Sequence, residues 1–264
     1  MDAEEQRRRA SSFGSVAHEY AENRPDYPAD AVAWLSGGTP ANVLELGSGT
    51  GKLTRALLSI GHRVVATDPS TPMLAELARV APGARRVLAR AEEIPLAPAT
   101  VDVVVSAQAF HWFDGERALP EIARVLRPGG VLANVWNSGD FKVPWVRRLF
   151  GLIGHSDEDP DDPLAASELF TSKERRVFRH WQRFDRESLV GFVASGSYAA
   201  VQKPAEREVL LGEVAAIYDS YGRGHAGMLM PWKAVCFRAM VTKAADARRG
   251  STGQPDDGLL IDVR

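Results

Sequence analysis

Short apolar runs alternate with segments of helical hydrophobic spacing along the first half of the chain. The apolar runs predict strands at 43–46, 63–67, 86–89, 101–106 and 131–136, and the segments between them predict helices at 52–60, 72–80 and 116–126. The fourth run, "VDVVVS", is typical of a strand that is buried on both faces. Strands and helices alternating in this way predict an α/β fold with a doubly wound, mostly parallel, Rossmann-like sheet.

The alternation stops after residue 137. Residues 138–170 show no regular period and include the acidic, proline-containing "HSDEDPDDP", so we expect an irregular, exposed segment there. The pattern then predicts a sixth strand at 177–184, a helix at 186–194 capped by Asp185 with Ser188 in the following turn, a helix at 205–221 and a last, antiparallel seventh strand at 228–240. The insertion and these helices are expected to form a small helical lid near the carboxyl ends of the strands, where ligands bind in open α/β sheets.

These patterns divide the chain into a core at 11–137, a lid at 138–227 and a final sheet strand at 228–243. The two ends, 1–10 and 244–264, are polar or glycine-rich and are expected to be flexible.

Composition narrows the range of partners. The 264 residues are 45% hydrophobic and 25% charged, as in ordinary soluble globular proteins. A net charge of −2 gives no electrostatic case for a nucleic-acid partner. The first ten residues lack the apolar stretch of a secretory signal, and no run approaches the roughly 20 apolar residues of a membrane span. The single cysteine, Cys236, lies among apolar neighbours and is expected to be a buried, inert thiol. We therefore expect a cytoplasmic protein; the sequence carries no signal for an oligomeric state.

The stretch "VLELGSGTGKLT" at 43–54 joins the first strand to the first predicted helix. A phosphate-binding loop ending at Gly51 and Lys52 would need glycine at position 46 and a hydroxyl at position 53, and both positions hold leucine. A dinucleotide loop counted from Gly47 would need glycine at position 52, which is Lys52. Neither pattern fits.

The spacing Gly47-Ser48-Gly49-Thr50-Gly51 suits a different ligand. Backbone without Cβ atoms can approach a ligand closely, and the N-terminus of the following helix favours an anion such as a carboxylate. Asp68 ends the second strand, where an acid can accept hydrogen bonds from both ribose hydroxyls and would repel a 2′-phosphate. The loop therefore predicts a nucleoside that carries a carboxylate and no diphosphate.

Five motifs in order carry a family resemblance, namely "VLELGSGTGKLT", "VVATDPS", "AEEIPL", "VDVVVSAQAFHWFD" and "RVLRPGGVLANVWN". Together they resemble the class I S-adenosylmethionine-dependent methyltransferases, in their small-molecule, methyltransferase type 11-like branch. The resemblance implies S-adenosyl-L-methionine as cofactor and in-line transfer of a methyl group to a small-molecule acceptor, with oxygen the favoured acceptor atom. A non-catalytic S-adenosylmethionine-binding protein that uses its lid to recognise a partner is the alternative.

The resemblance also assigns roles within the cofactor site. Glu45 would lie under the loop near the methionine end, or hold the loop amides. Met73 would lie beside the adenine, and Ala91 and Glu92 at the adenine edge. Many relatives carry an acid or a small polar residue before that alanine, where this chain has Arg90, so Glu92 is expected to contact the adenine amino group.

An N-terminal segment, "FGSVAHEYAENRPDYP", is expected by the same resemblance to fold over the cofactor. It brings Tyr20 to the site and places Arg24 as a charge-assisted clamp on the methionine carboxylate.

The stretch "SAQAFHWF" follows the fourth strand and is expected to face the site with Ser106, Gln108 and Trp112. Aromatic faces suit a sulfonium cation. His111 would orient or deprotonate the acceptor, with aromatic packing beside Trp112 as the other interpretation. The scattered histidines show no metal-ligand spacing, so no metal site is predicted.

Overall fold

The computed structural model of the protein describes residues 23–156, 160, 162, 164, 167–221 and 227–242. The predictions of flexible ends at 1–10 and 244–264, and the site prediction for Tyr20, lie outside these residues.

The described residues form one sheet of seven strands in the order β3-β2-β1-β4-β5-β7-β6. The strands are β1 Asn42–Leu46, β2 Arg63–Asp68, β3 Arg85–Leu88, β4 Val101–Ala107, β5 Leu126–Gly139, β6 Phe170–Phe184 and β7 Met228–Val241. The first five strands are parallel to one another, whereas β7 runs antiparallel to both β5 and β6. The predicted fold class, with its last strand antiparallel, is confirmed.

The helices of the described residues are α1 Ala29–Ser36, α2 Lys52–Ser59, α3 Thr71–Val80, α4 Gly115–Val125, α5 Pro144–Leu152, α6 Arg186–Ala194, α7 Ser197–Ala200 and α8 Pro204–Tyr221. A 3-10 turn, Phe110–Trp112, follows β4. The helices predicted from hydrophobic spacing appear within one or two residues of their expected bounds. At α6 the predicted cap is a full capping box, because Asp185 and Ser188 each accept from the other's backbone amide.

The prediction of an irregular segment at 138–170 is wrong for its first half. Strand β5 continues to Gly139, and α5 follows it. Its buried residues Val146, Leu149 and Phe150 recur at three- and four-residue spacing, and Pro144 occupies the first turn, where its missing N–H is harmless. The helical pattern is short and lies beside an acidic proline-rich stretch, which hid it.

The sheet is covered on both faces, and the lid has a core of its own. One face packs Leu44, Val104 and Leu132 against α4, and the other packs Val43, Val103 and Val105 against α1, α2 and α3. A third cluster joins α5, α6 and α8 to β7 around Phe150, Phe192 and Trp232. All three clusters include residues of the same sheet. The lid is therefore anchored to that sheet and lies next to the carboxyl ends of β1 and β4.

Strand β6 forms one edge of the sheet and is exposed along most of its length. It carries five basic side chains and one acidic side chain, namely Lys173, Arg175, Arg176, Arg179, Arg183 and Glu174. Trp181, on the same strand, is 64% exposed.

Across the described parts of the chain, no helix combines the length and the apolar character that crossing a membrane requires. Cys236 lies in the middle of β7, fully buried, and burial raises the pKa of its thiol to about 12.

Gly51 offers a test of how closely α2 and α3 pack. Its φ is +88°, and a Cβ there would lie 2.8 Å from Cγ of Leu77. We expect Gly51→Ala to cost about 1–2 kcal/mol for the left-handed backbone and about 1–3 kcal/mol more for the overlap. Gly129→Ala is the control, because Gly129 has a φ of +76° and no atom within 4 Å of an added Cβ. Chemical denaturation measures both, and equal losses would contradict the close packing.

Candidate functional site

A cavity of about 350 Å³ opens at the carboxyl ends of β1 and β4 and extends under the lid. Its floor is the glycine loop with Glu45, and its far wall is aromatic. The cavity is lined by, among others, Arg24, Glu45, Ser48, Lys52, Gln108, His111, Trp112, Trp136, Asn137, Phe150, His155, Phe192, Tyr198 and Trp232. The position agrees with the rule that ligands of open α/β sheets bind where neighbouring strands diverge, here between β1 and β4.

The glycine loop is fastened to β2. The amide of Ser48 donates to the carbonyl of Thr67 at 2.9 Å, and the amide of Gly49 donates to Oδ2 of Asp68 at 2.9 Å. Gly49 has a φ of +53°, and a Cβ there would point into open space of the cavity. The buried hydroxyl of Ser48 has no hydrogen-bond partner among the described residues. The loop thus presents bare backbone and one unsatisfied hydroxyl at the cavity.

Asp68 is nearly buried and binds backbone amides on both sides. Its Oδ1 accepts from the amide of Ser70 at 2.9 Å, while its Oδ2 accepts from Gly49. Burial raises its pKa, and the two amide hydrogen bonds oppose that rise. Ser70, which precedes α3, makes no capping hydrogen bond with its own side chain. Asp68 therefore joins the loop to the start of α3, and it lies beside the cavity rather than in its lining.

Glu45 lies on the cavity floor and is 1% exposed. Its Oε2 accepts a hydrogen bond from the hydroxyl of Thr54 on α2. Burial raises the pKa of Glu45 to about 8, the Thr54 bond opposes the rise, and the nearby charge of Asp68 adds to it. At neutral pH this acid is mostly protonated, so a cation arriving in the cavity would favour its charged form.

The residues expected at the adenine are grouped at a distance from this cavity. Met73 is buried on α3, and Ala91 belongs to the core beside α4. Glu92 accepts from the amide of Asp114 at 2.9 Å and from Nε of Arg90 at 3.2 Å. None of the three predicted adenine-side residues, Met73, Ala91 and Glu92, lines the cavity, and their contacts with adenine stay predictions.

Arg24 lines the cavity from the lid side. Its Cζ lies 4.9 Å from the centroid of the Phe192 ring on α6, a cation–π geometry. The guanidinium is therefore held against the lid, where it faces the cavity opposite the glycine loop.

The exit of β4 carries a short polar network. Gln108, with a φ of +55°, donates from its amide to the carbonyl of Val135 and from Nε2 to the carbonyl of Asn137, both at 2.9 Å. Oδ1 of Asn137 lies 3.1 Å from Nε2 of His180 on β6. Gln108 and Asn137 both line the cavity. The strained backbone at Gln108 turns the chain from the end of β4 into the 3-10 turn that follows.

Ser106 lies one layer beneath the cavity. It is 1% exposed and pairs in register with Asn134, which is 0% exposed. The hydroxyl of Ser106 and both amide atoms of Asn134 have no partner among the described residues. Adjacent buried polar groups of this kind are the usual site of an internal water molecule. Ser106 is not among the residues that line the cavity, and its predicted place in the cofactor site stays a prediction.

His111 and Trp112 stand together at the cavity mouth, with ring centroids 4.6 Å apart. Nδ1 of His111 accepts from the indole nitrogen of Trp136 at 3.4 Å. His111 is exposed as a residue, but the rings packed around its imidazole and the nearby imidazole of His155 lower its pKa below the usual 6.5. The ring is neutral at physiological pH.

The sequence pattern did not predict the aromatic wall of the cavity, which consists of Trp136, Phe150, Phe192 and Trp232. Trp136 ends the fifth predicted strand, and Phe150, Phe192 and Trp232 come from three separate elements of the lid and β7. Trp136 had a usable signal, because it follows a buried parallel strand at the same sheet edge as His111. The other three are assembled only by tertiary packing. Within the described ranges, no group of three or more histidine, cysteine, aspartate or glutamate side chains could hold a metal ion.

Comparison with known proteins identifies relatives over most of the chain. A family described as "Methyltransferase domain" matches residues 44–134. An uncharacterized methyltransferase of Mycobacterium tuberculosis is 40% identical over 230 residues, which cover 86% of this chain and 95% of the relative. A malonyl-[acyl-carrier protein] O-methyltransferase of Enterobacter lignolyticus is 38% identical over 155 residues, which cover 57% of this chain and 60% of that protein. A solved structure from Anaeromyxobacter dehalogenans, assigned as a type II methyltransferase, superposes with a TM-score of 0.64 at 27% identity and covers 82% of this chain and 97% of its own.

The buried acid at the cavity floor predicts a pH-dependent stability. The pKa of Glu45 is about 8 in the folded protein against an ordinary value of 4.5, so the native state binds more protons than the unfolded state between these values. The free energy of unfolding therefore falls as pH rises from about 4.5 to 8, by up to about 1.4 kcal/mol per pH unit.

Glu45→Gln keeps the size of the side chain and its contact with Thr54 but cannot titrate. We therefore expect its free energy of unfolding to vary less with pH in this range, and to exceed that of the wild type at pH 8. Denaturation at several pH values measures the effect. Glu116→Gln, which removes an exposed acid, is the control and should keep the wild-type slope. Parallel profiles for Glu45→Gln and the wild type would contradict the prediction.

Proposed function

Since this chain belongs to the class I methyltransferases, we propose that it binds S-adenosylmethionine at the glycine loop and transfers the methyl group to an oxygen of a small acidic molecule held beneath the lid. The observation that carries this proposal is the cavity itself. It joins the glycine loop on one side to a wall of aromatic and basic side chains on the other. The division into a core at 11–137 that holds the cofactor and a lid at 138–227 that selects the acceptor is part of the same proposal.

The residues present fit the cofactor. Open space at Gly49 admits a ligand against the loop backbone, and the unsatisfied hydroxyl of Ser48 offers it a hydrogen bond. The N-terminus of α2 favours a carboxylate, and Glu45 offers a negative charge to an ammonium or sulfonium group. Asp68 keeps lone pairs available for ribose hydroxyls beyond the two that its amide partners use.

When bound, S-adenosylmethionine supplies a methyl group that is already activated by a sulfonium leaving group. What the chain must add is position and exclusion of water. Trp112 and Trp136 offer aromatic faces that suit a cation. Trp232 packs edge to face against Phe150 at 5.7 Å and Phe192 at 5.5 Å, and all three rings line the cavity on its lid side.

An acidic acceptor is supported by the charges of the lining. Arg24 and Lys52 are basic, and Glu45 is the sole acid of the cavity lining among the described residues. Arg24 lines the cavity from the lid side, and we assign this cation to the acceptor or to the methionine carboxylate. The similarity to a malonyl-[acyl-carrier protein] O-methyltransferase favours oxygen as the acceptor atom. A carboxylate acceptor has no proton to lose, so its methylation requires no general base.

Substitutions of Gly49 and Asp68, whose hydrogen bond joins the glycine loop to β2, test cofactor binding. We expect Asp68→Ala and Gly49→Val each to weaken S-adenosylmethionine binding by between about tenfold and a hundredfold. Asp68→Ala removes charge-assisted hydrogen bonds, and Gly49→Val blocks them with added bulk; bonds of this kind contribute about 1.5–3 kcal/mol. Gly37→Val is the matched control, because Gly37 shares the positive φ and the open surroundings but lies away from the cavity. Titration calorimetry with unchanged affinity in the first two variants would refute the cofactor site.

Acceptor class is tested with a panel of carboxylic acids, phenols and amines, by measuring S-adenosylhomocysteine formation. We expect turnover with acids, and we expect Arg24→Gln to raise the KM for the acid at least tenfold because a charge-assisted hydrogen bond is lost. Arg55→Gln removes an exposed cation outside the cavity and should leave KM unchanged. Turnover confined to amines would overturn the acidic acceptor.

A further inference from the structure

We propose that two glycines of the lid, Gly191 and Gly196, are positioning residues. They leave the space that Asn23 and Arg24 occupy, and they thereby set where the Arg24 guanidinium meets an anionic group in the cavity. The identity of that anionic group as an acid acceptor rests on the proposed function, whereas the role of the two glycines rests on their contacts.

Residues 23–28, which we call the strap, connect the lid to α2 and partly line the cavity. The carbonyl of Asn23 accepts a hydrogen bond from Nε2 of Gln182 on β6 at 3.4 Å. The carboxylate of Asp26 accepts one from Nζ of Lys52, the first residue of α2, at 3.1 Å. The strap is therefore attached to the sheet and to the helix that begins at the glycine loop.

Gly196 lies directly against the side chain of Arg24. A Cβ added at Gly196 would lie 2.9 Å from Nη2 of Arg24 and 3.2 Å from the carbonyl oxygen of Val193. The first distance is too short for a carbon and a nitrogen that are not bonded, so a larger residue would displace the guanidinium. Cζ of the same guanidinium lies 4.9 Å from the centroid of the Phe192 ring. Gly196 and Phe192 thus limit the position of the cation from two sides.

Gly191 lies against the preceding strap residue. A Cβ there would lie 2.9 Å from both the side-chain oxygen and the side-chain nitrogen of Asn23. Gly191 is inside α6, where glycine is less stable than alanine because it loses more backbone freedom on folding. Two consecutive strap residues therefore each contact a lid glycine at a distance that no larger residue allows.

The backbone does not require glycine at either position. Neither residue has a positive φ. Gly196 has a φ of −79° and a ψ of 149°, an extended conformation that any residue adopts, and it is the N-cap of α7, where serine is at least as favourable as glycine. The close approach of the strap is the reason for glycine that the structure offers at both positions.

The space at Gly196 affects the site more than it affects the fold. The guanidinium is the end of a flexible side chain, so it can move at little cost to the stability of the protein. A charge-assisted hydrogen bond is directional, however, and a misplacement of about 1 Å is enough to weaken binding or catalysis. Filling the space should therefore impair the use of Arg24 in a protein that remains folded.

NMR of the full chain labelled at arginine measures the position of Arg24, with its signals assigned by their loss in Arg24→Gln. Protons held over an aromatic ring are shifted by its ring current, so we expect shifted Arg24 signals in the wild type. Gly196→Ala and Gly196→Ser should both move these signals. Gly212→Ala is the control, because Gly212 lies in α8 with open space around it. Unchanged Arg24 signals in both Gly196 variants would overturn the proposal.

Comparison of the two Gly196 variants separates the space from the N-cap. Serine is a preferred N-cap and alanine is a poor one, so a purely capping role predicts lower stability for Gly196→Ala alone and unmoved Arg24 signals in both variants. We expect Gly196→Ser to keep a denaturation midpoint near that of the wild type and to displace Arg24. If Gly196→Ser does not fold even when combined with Arg24→Gln, the backbone needs glycine there and the proposal fails.

Denaturation also tests Gly191. An alanine inside a helix stabilises it, so we expect Gly212→Ala to raise the denaturation midpoint. Gly191→Ala should raise it less, because its Cβ meets Asn23, and Asn23→Ala should remove the difference. Equal gains for Gly191→Ala and Gly212→Ala with Asn23 in place would contradict the close contact.

Kinetics with an acid acceptor test what the placed cation binds. We expect Gly196→Ser to raise the KM for the acid by about fivefold or more and to keep kcat within about twofold. In the Arg24→Gln background the same substitution should change KM by less than about twofold, because the side chain that it displaces is gone. Losses that multiply in the double variant would show that Gly196 acts independently of Arg24 and would overturn the proposal.

The NMR and kinetic results distinguish the possible failures. Moved Arg24 signals without turnover of any acid support the role of Gly196 and count against the proposed acceptor. Equal losses of S-adenosylmethionine affinity in Gly196→Ser and Arg24→Gln, with the KM for the acid unchanged, also support that role. They would assign the cation to the cofactor and overturn its assignment to the acceptor.

Discussion

The contact between the amide of Gly49 and the carboxylate of Asp68 determines the shape of the site. It joins the loop after β1 to the end of β2, and the second oxygen of the same carboxylate holds the start of α3. Three elements thus meet on one side chain, which is nearly buried. The loop can stay open toward the cavity at Gly49 because its other side is bound in this way.

Sheet topology then brings the two halves of the site together. The adjacency of β1 and β4 places the glycine loop beside the turn that carries His111 and Trp112. Inserting β7 between β5 and β6 anchors the lid's core, with Phe150, Phe192 and Trp232, to the same sheet. Cofactor loop and aromatic wall are therefore fixed to one rigid scaffold, although they come from distant parts of the chain.

Much of this arrangement could be predicted from the sequence, and the reasons differ by element. Strands buried on both faces and the glycine spacing are local signals, so the core strands, the glycine loop and the position of Asp68 at the end of β2 could be predicted. The aromatic wall could not, because Trp232 and Phe192 look like ordinary core residues until α6 and β7 are packed together. The role of Glu92 shows a further limit, since its carboxylate is engaged by Asp114 and Arg90, which no spacing rule reveals. The contact between Nδ1 of His111 and Nε1 of Trp136, 25 positions further along the chain, is likewise not visible from spacing.

The exposed outer strand β6 has a consequence for how the protein behaves at high concentration. A free strand edge is a template for sheet growth between molecules, and natural proteins discourage such growth with charge. Two copies that met along Phe170–Phe184 would bring one row of arginines against another. Electrostatic repulsion at this border therefore protects the molecule from polymerising through its longest strand.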